Sequence, residues 1–361
     1  MRPRSDRRRR GHDFLANYHR ALEPAHNGEV DVVIHAGDVF DRPTVAASVA
    51  YQAYEPLRRV TDLGIPVLVV PGNHERSRLP HCQLLTHATT RAPERSEGPR
   101  SSRFEGIHVF DVPRTVVVNV RGTDVAFSGI PYARRVRAQF PALLEETKWR
   151  DAVASHRVLC VHHCFEGATV GPADYVFTTA ADVIRHADIP RDFAAVFTGH
   201  VHRHQVLSVG LDGRRLATPV LYPGSIERTA FAEMGETKGF MLVRLSLDAS
   251  GRSAVAWEFR PLPARPMHRI DIRAAEDAQA LARAVRDAIA SVPADAVLGL
   301  RIHGELTDAH WGVISARSLR AIVPSTMNVT VMPTAARDLV RPRYSSPDQD
   351  AADTEPQLAL F

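Results

Sequence analysis

Short apolar runs alternate with amphipathic stretches over the first 260 residues of the chain. The apolar residues between 14 and 22 fall at helical spacing and predict an opening helix. Residues 30–35 predict a short strand, 47–63 a helix, and 65–70 a buried strand rich in β-branched residues. This alternation is typical of parallel β-α-β units.

The pattern continues as strands and then changes after a run of prolines. The further predicted strands are 107–110, 115–120, 124–130, 158–162, 194–198, 206–209, 240–245 and 254–259. Beyond Pro261, Pro263 and Pro266, strands near 270–272, 297–302 and 329–332 surround a helix near 281–292. The sequence therefore predicts an α/β domain over 14–264 and a small α+β cap domain over 265–340.

Three segments lack apolar periodicity. Residues 1–13 carry six arginines in the first ten positions, 86–103 are polar with several prolines and glycines, and 341–361 are acidic. Such segments bury too little apolar surface to offset the entropy of ordering. We predict a disordered basic N-terminus, a disordered insertion and a disordered acidic tail.

The bulk composition is that of an ordinary globular chain. It has 361 residues, of which 44% are hydrophobic and 24% are charged, and its formal net charge is +4. The three cysteines argue against a disulfide framework and for a reducing compartment. Without an apolar run of membrane-spanning length, we expect a cytoplasmic protein with no membrane partner.

Four polar segments each follow a predicted strand. They are Gly37-Asp38-Val39-Phe40-Asp41-Arg42, Gly72-Asn73-His74-Glu75, Val161-His162-His163 and Gly199-His200-Val201-His202. Because ligands gather at the carboxyl ends of strands in α/β sheets, these four segments are expected to converge on one rim.

The residue types of these segments favour a pair of divalent metal ions. Carboxylate, amide and imidazole ligands suit manganese, iron or zinc better than calcium or magnesium. Asp38 is the candidate bridge between two ions; Asn73, His162 and His200 would complete one site, and His202 would serve the other. His74 follows a ligand directly and is the candidate catalytic residue, able to stabilise charge or protonate a leaving oxygen.

Each segment alone also has a plain structural interpretation. A Gly-Asp turn after a strand is common, and two histidines two positions apart are more often structural than ligating. We interpret His163 as a packing residue, and Cys160 and Cys164 as structural because no second cysteine pair accompanies them. The order of all four segments makes the functional interpretation the stronger one.

Taken together, the four segments resemble motifs two to five of the calcineurin-like metallophosphoesterases over residues 14–262. The stretch 222–228, with Phe231 and Lys238-Gly239, is similar to a segment of the SbcD-type exonuclease subunits and their recombination-nuclease relatives. The resemblance implies a sandwich of two mixed β-sheets flanked by helices, a DNA-contacting cap and two manganese ions, with iron or zinc as alternatives. It also implies DNA as substrate, phosphate contacts by Arg42 and Arg228, a coiled-coil ATPase partner of the SbcC type and a homodimer.

One family motif has no counterpart at the expected place. The family begins with a strand that ends in Asp-x-His, and no such strand lies between Met1 and Glu29. Asp308-Ala309-His310 has the letters but lies in the cap, where only a permuted fold would use it. We expect that the true start lies upstream of Met1; a degenerate family member is the alternative.

The last residues carry a separate signal. Gln357, Leu358, Leu360 and Phe361 follow an acidic stretch and resemble the short peptide by which bacterial replication and repair proteins bind the sliding clamp. An apolar terminus without a partner is the alternative interpretation.

These observations leave three functions open. The leading one is a metal-dependent DNA exo- or endonuclease acting in repair. The others are a phosphoesterase for small nucleotides or phosphoproteins and a catalytically impaired DNA-repair interaction protein.

Overall fold

A computed structural model describes residues 8–75, 106–274 and 277–332. The described residues form two compact units. The larger unit contains residues 14–227 and 236–262, and the smaller contains 8–13, 228–235 and 263–332. The predicted insertion at 86–103 and the tail at 341–361 lie outside the described residues, as do residues 1–7.

The larger unit carries most of the secondary structure. Its helices are α1 (Arg10–His26, whose first turn belongs to the smaller unit), α2 (Ala47–Asp62) and α3 (Val136–Glu146). Its strands are β1 (Val33–His35), β2 (Val67–Val69), β3 (Ile107–Val109), β4 (Arg114–Val120), β5 (Thr123–Gly129), β6 (His156–Val161), β7 (Cys164–Phe165), β8 (Thr169–Val170), β9 (Tyr175–Val176), β10 (Val183–Ile184), β11 (Ala195–Thr198), β12 (Gln205–Val209), β13 (Arg215–Tyr222), β14 (Gly239–Leu247) and β15 (Ser253–Pro261).

Two sheets position the chemistry of this unit. Strands β1, β2 and β3 form a parallel sheet in that order, and six strands form a mixed sheet in the order β12-β13-β11-β6-β5-β4. In the mixed sheet β13, β11, β6 and β5 run parallel, while β4 and β12 pair antiparallel at its edges. The predicted α/β fold class is confirmed, although the smaller of these two sheets is parallel rather than mixed. Strand β1 lies at a sheet edge, and no described strand pairs with its outer side.

The central strands are apolar on both faces. In β6 the run from Val158 to Val161 is fully buried, and all of β2 is buried as well. A parallel strand covered on both faces has no polar side, so it appears in the sequence as a continuous apolar run. Because such a strand cannot place polar groups along its length, the metal-binding side chains follow it in the loops.

The smaller unit is an α+β structure built on three parallel strands. They are β16 (Met267–Arg273), β17 (Val297–His303) and β18 (Asn328–Met332), with helices α4 (Ala278–Ala290), α5 (Asp308–Val313) and α6 (Ala316–Ile322). Leu281, Val285 and Ile289 of α4 pack in one apolar cluster with residues of the three strands. Asp277 caps α4 by accepting a hydrogen bond from the backbone N–H of Gln279.

The predicted disorder of residues 1–13 is wrong for residues 8–13. The helix begins at Arg10, and the buried carboxylate of Asp13 pairs with Arg8, Arg10 and Arg265. Nη1 of Arg265 lies 2.9 Å from Oδ2 of Asp13. A buried carboxylate is stable only when cations and hydrogen bonds compensate its lost hydration, and part of the arginine run supplies them.

The Asp-x-His triplet of the smaller unit belongs to a helix start. Thr307 is the N-cap of α5, and its backbone N–H donates to Nδ1 of His310, which is buried. Asp308 lies in the first helical turn, where an acidic side chain is favoured by the helix dipole. These contacts give the triplet a capping role.

Among the described residues, no helix combines the length and the apolar character needed to cross a bilayer.

Candidate metal centre

Three glycines allow the loops after β1, β2 and β11 to approach one another. A Cβ atom at Gly37 would lie 2.2 Å from Nδ1 of His162, and one at Gly72 would lie 2.1 Å from a carboxylate oxygen of Asp38. A Cβ atom at Gly199 would lie 2.8 Å from the same imidazole nitrogen. Each loop therefore begins with glycine because any side chain there would occupy the space of a metal-binding group.

Four side chains from four loops converge beyond these glycines. Oδ1 of Asn73 lies 3.1 Å from Nε2 of His162 and 2.8 Å from Nδ1 of His200. Nε2 of His162 lies 3.1 Å from Oδ2 of Asp38. One ligand atom from each of Asp38, His162 and His200 lies within 4.8 Å of the others. The structure thus brings together four of the five predicted metal ligands.

The orientation of His162 is fixed from outside the cluster. Its Nδ1 donates to the carbonyl oxygen of Ala36 at 2.7 Å, so Nε2 carries the lone pair of the neutral ring. Nε2 faces oxygens of Asp38 and Asn73, and all three are electron-pair donors. A divalent cation satisfies such a set, and donor separations of about 3 Å suit octahedral bonds of roughly 2.1 Å. The residues present therefore fit a metal ion.

The protonation of these groups also favours a cation. Burial raises the pKa of Asp38, but the hydrogen bond and charge of His162 and the backbone N–H of His74 outweigh it and lower the pKa. Burial lowers the pKa of His200 to about 4, and the neighbouring His162 adds to the effect. Near neutral pH the first group is a carboxylate and the second a neutral imidazole, which are the ligating forms.

Two of the four ligands lie on strained backbone. Asp38 has φ 54° and His200 has φ 72°, in the left-handed region that non-glycine residues seldom adopt. Such conformations persist where the surrounding structure enforces them, and they cluster at functional sites.

Glu75 joins two of the loops and was quoted in the sequence motif without a role. Its carboxylate accepts hydrogen bonds from the backbone N–H groups of Phe40 at 2.9 Å and Gly72 at 2.7 Å. The side chain is buried, and burial raises its pKa to about 7. By bonding both loops it fixes the spacing between Asp38 and Asn73.

His74 lies beside the cluster and is not one of its converging ligands. Its Nδ1 is 2.9 Å from the carbonyl oxygen of Asp41, and its Nε2 is 3.9 Å from Oδ2 of Asp38. Its backbone N–H donates to Oδ1 of Asp38 at 3.1 Å, while 41% of the side chain is exposed. An exposed imidazole next to the ligands has the position that a proton donor to substrate requires.

The remaining predicted site residues are not grouped with the cluster. His202 lies in the loop of His200, but its imidazole is not one of the converging ligands. Arg42 forms a two-point ion pair with Asp41, at 3.2 and 3.0 Å. Arg228 belongs to the smaller unit, where it donates to the carbonyl oxygen of Arg265. The predicted clamp-binding residues Gln357, Leu358, Leu360 and Phe361 lie outside the described residues.

An aromatic residue that the motif analysis missed contacts the cluster. The ring of Tyr132 stacks on His163 at 5.3 Å and 15°, and lies 5.8 Å from the ring of His200. Nε2 of His163 accepts a hydrogen bond from the backbone N–H of Ala133, and burial lowers its pKa to about 3. His163 is therefore a neutral packing residue. Tyr132 follows the buried run at the end of β5, and only this strand-end position signalled it in the sequence.

Comparison with known proteins places the chain in a family. The family model described as calcineurin-like phosphoesterase matches residues 10–204, more than half of the chain. The chain belongs to the calcineurin-like phosphoesterases, as its four motifs predicted.

The similar proteins narrow this class. The chain is 27% identical to the DNA double-strand break repair protein Mre11 of Aeropyrum pernix, over 72% of this chain and 58% of that protein. It is 30% identical to the protein of the same name from Haloferax volcanii, over 74% and 51%. It is 23% identical to the SbcD component of the nuclease SbcCD of Bacillus subtilis, over 64% and 59%. The chain spans little more than half the length of these three relatives.

Proposed function

We propose that this chain is a metal-dependent phosphodiesterase that hydrolyses DNA and acts in DNA repair. The observation that carries the proposal is the convergence of Asp38, Asn73, His162 and His200 beyond the strand ends of a calcineurin-like phosphoesterase fold. The similarity to proteins named as break-repair proteins and as a nuclease component favours DNA over other phosphodiesters.

Two divalent ions, manganese first among the candidates, are part of this proposal. Asp38 would contribute to both ions, with Asn73, His162 and His200 on one and His202 on the other. When bound, the ions polarise the phosphate and lower the pKa of a bound water. The protein's own part is to hold the ligands at fixed spacing through Glu75 and the three glycines, and to present His74 for protonation of the leaving oxygen.

The smaller unit offers a surface suited to a polyanion. Along β16 the buried or half-buried Ile270 and Ile272 alternate with the exposed Arg269, Asp271 and Arg273. The isoleucines pack into the apolar core, so the other face of the strand carries two exposed arginines. Exposed arginines bind phosphate backbones through counterion release, without sequence preference.

The proposal is tested by substrate choice. Purified chain is expected to cleave linear duplex DNA in manganese and to lose this activity when the metal is chelated. The Arg269→Gln/Arg273→Gln variant should bind DNA about tenfold more weakly at 0.15 M salt. Its slope of log affinity against log salt should fall by about 1 to 2. Hydrolysis of bis-p-nitrophenyl phosphate should be unchanged, because that substrate is too small to reach such a surface.

The matched control is Arg121→Gln/Arg214→Gln, which changes two exposed arginines of the larger unit. Turnover of cyclic or linear mononucleotides with no cleavage of DNA would identify a small-molecule phosphoesterase instead. DNA binding without manganese-stimulated cleavage would identify an interaction protein.

The partners belong to the same proposal. A coiled-coil ATPase of the SbcC type, a second copy of this chain and a cytoplasmic location all agree with a DNA-processing role. Co-purification with such an ATPase and sedimentation of the isolated chain would test the first two. Fractionation of cells would test the third.

Binding to the bacterial sliding clamp is proposed for the segment 353–361. Leu358, Leu360 and Phe361 would fill an apolar pocket, and Gln357 would add directional hydrogen bonds. A peptide of residues 353–361 is expected to bind the clamp with micromolar affinity in a calorimetric titration. Changing Leu360 and Phe361 to Ala should abolish binding. Absence of heat at high concentration of the unmodified peptide would refute this proposal.

A further inference from the structure

Lysine is rare in this chain, and one lysine is fully buried. Of 45 Lys and Arg residues only two, Lys148 and Lys238, are lysines. Lys148 is exposed, whereas the side chain of Lys238 has 0% exposure. A buried ammonium loses its hydration and needs compensating partners, so this position has a specific requirement.

The partners of Lys238 connect it to the predicted metal-binding loop. Its Nζ donates to the carbonyl oxygen of His202 at 2.8 Å and to Oε2 of Glu236 at 2.8 Å. The other carboxylate oxygen of Glu236 accepts from Nε of Arg203 at 3.1 Å. The lysine and the glutamate thus neutralise each other while holding two consecutive residues of the loop.

The same peptide group is held from a second side. The backbone N–H of Ser225 donates to the carbonyl oxygen of His202 at 3.0 Å. Gly224 has φ 77°, and a Cβ atom there would lie 2.8 Å from that oxygen and 2.7 Å from the backbone nitrogen of His204. The segment around 222–228 and Lys238 therefore surrounds one carbonyl oxygen, that of His202.

The loop requires such support because it is irregular. Residues 199–204 connect β11 to β12 outside any sheet ladder, and His200 has a left-handed backbone conformation. A carbonyl group in such a loop has no regular partner and must be bonded by other means. A compact ammonium with three donors can meet several acceptors from one point, which the planar guanidinium of arginine cannot do in the same volume.

From these contacts we infer that Lys238 is a positioning residue for the metal centre: by fixing the carbonyl oxygen of His202 it sets the position of the His202 imidazole. This inference rests on the proposed function, in which His202 binds the second ion. Glu236 keeps the site electrically balanced, so the contribution of Lys238 to metal affinity is geometric. Partners that orient metal ligands typically change metal affinity by about 10- to 100-fold when they are removed.

A double-mutant cycle on metal affinity tests the inference without relying on activity. Manganese is titrated by calorimetry into four metal-free chains: unmodified, Lys238→Met, His202→Ala and the variant with both changes. Lys238→Met is expected to weaken the second ion by about 10-fold or more and to leave the first ion unchanged. In the His202→Ala background the lysine change should have little further effect, because both act through one ligand.

Three further chains separate positioning from folding. Lys148→Met, the same change at the exposed lysine, should bind both ions as the unmodified chain does. In Lys238→Met/Glu236→Leu the uncompensated charge is removed, so this chain should be as stable to urea as the unmodified one. It should still bind the second ion weakly. Lys238→Arg, the conservative change, should not restore that affinity in a closed site.

The outcomes distinguish this inference from the proposed function. Two ions bound at unmodified affinity by folded Lys238→Met, or by the double variant with leucine, would overturn the role of Lys238. That result would leave the nuclease proposal standing. Metal affinity unaffected by His202→Ala would instead overturn the two-ion site, and the positioning role with it.

Discussion

An Asp38→Asn chain is expected to bind no divalent metal at neutral pH and to lose phosphodiesterase activity by a factor on the order of 10³. Asp38 is the one carboxylate among the described residues that converge on the metal centre. Both of its oxygens are engaged, Oδ1 by the backbone N–H of His74 and Oδ2 beside Nε2 of His162. A neutral amide of the same shape cannot balance the charge of one dication, and still less of two.

The substitution tests the charge because it leaves the shape intact. Asn tolerates the left-handed backbone of Asp38 and keeps an oxygen for the N–H of His74. We therefore expect an unchanged far-ultraviolet circular dichroism spectrum. Elemental analysis measures metal per chain, with Asp248→Asn, at a turn before β15, as the matched control. Two equivalents of metal retained by Asp38→Asn would contradict the bridging role.

The candidate site was predictable from sequence because its ligands follow buried strands. Strands β2, β6 and β11 are apolar throughout or nearly so, and the first polar residues after them are the ligands. Strand-end position thus located Asn73, His162 and His200 without knowledge of the sheet order. The convergence of their atoms depends on the parallel pairing of β6 with β11.

Supporting residues escaped prediction because their roles depend on distant contacts. Glu75 bonds a backbone group 35 positions away, and Lys238 bonds one 36 positions away. Neither contact leaves a periodic signal in the sequence. Helix α3 and strand β13 were missed for a local reason, since each contains a proline, Pro141 and Pro219, which counts against regular structure.

The start of α1 shows how charge can mislead. A run of arginines is usually solvated, and that expectation set the predicted boundary at residue 14. The helix begins at Arg10 because Asp13 is buried and draws several guanidinium groups to it. An acidic residue close to a basic run is the feature that would have corrected the boundary.

Removing the imidazole of His74 is expected to separate chemistry from metal binding. A His74→Ala chain should retain its full metal content and lose about 10² to 10⁴ in kcat on DNA. The backbone N–H of His74, which supports Asp38, remains after the change, and the side chain is outside the ligand cluster. His19→Ala, which removes an exposed imidazole from α1, is the matched control.

The leaving group decides whether His74 acts as a proton donor. The alkoxide that leaves a DNA strand requires protonation, whereas p-nitrophenolate is stable without it. His74→Ala should therefore lose much more activity on DNA than on bis-p-nitrophenyl phosphate. Because 41% of the side chain is exposed, added imidazole should reach the space and restore part of the DNA cleavage. An equal loss on both substrates, accompanied by loss of metal, would make His74 a ligand and would reassign the proton donor to another group.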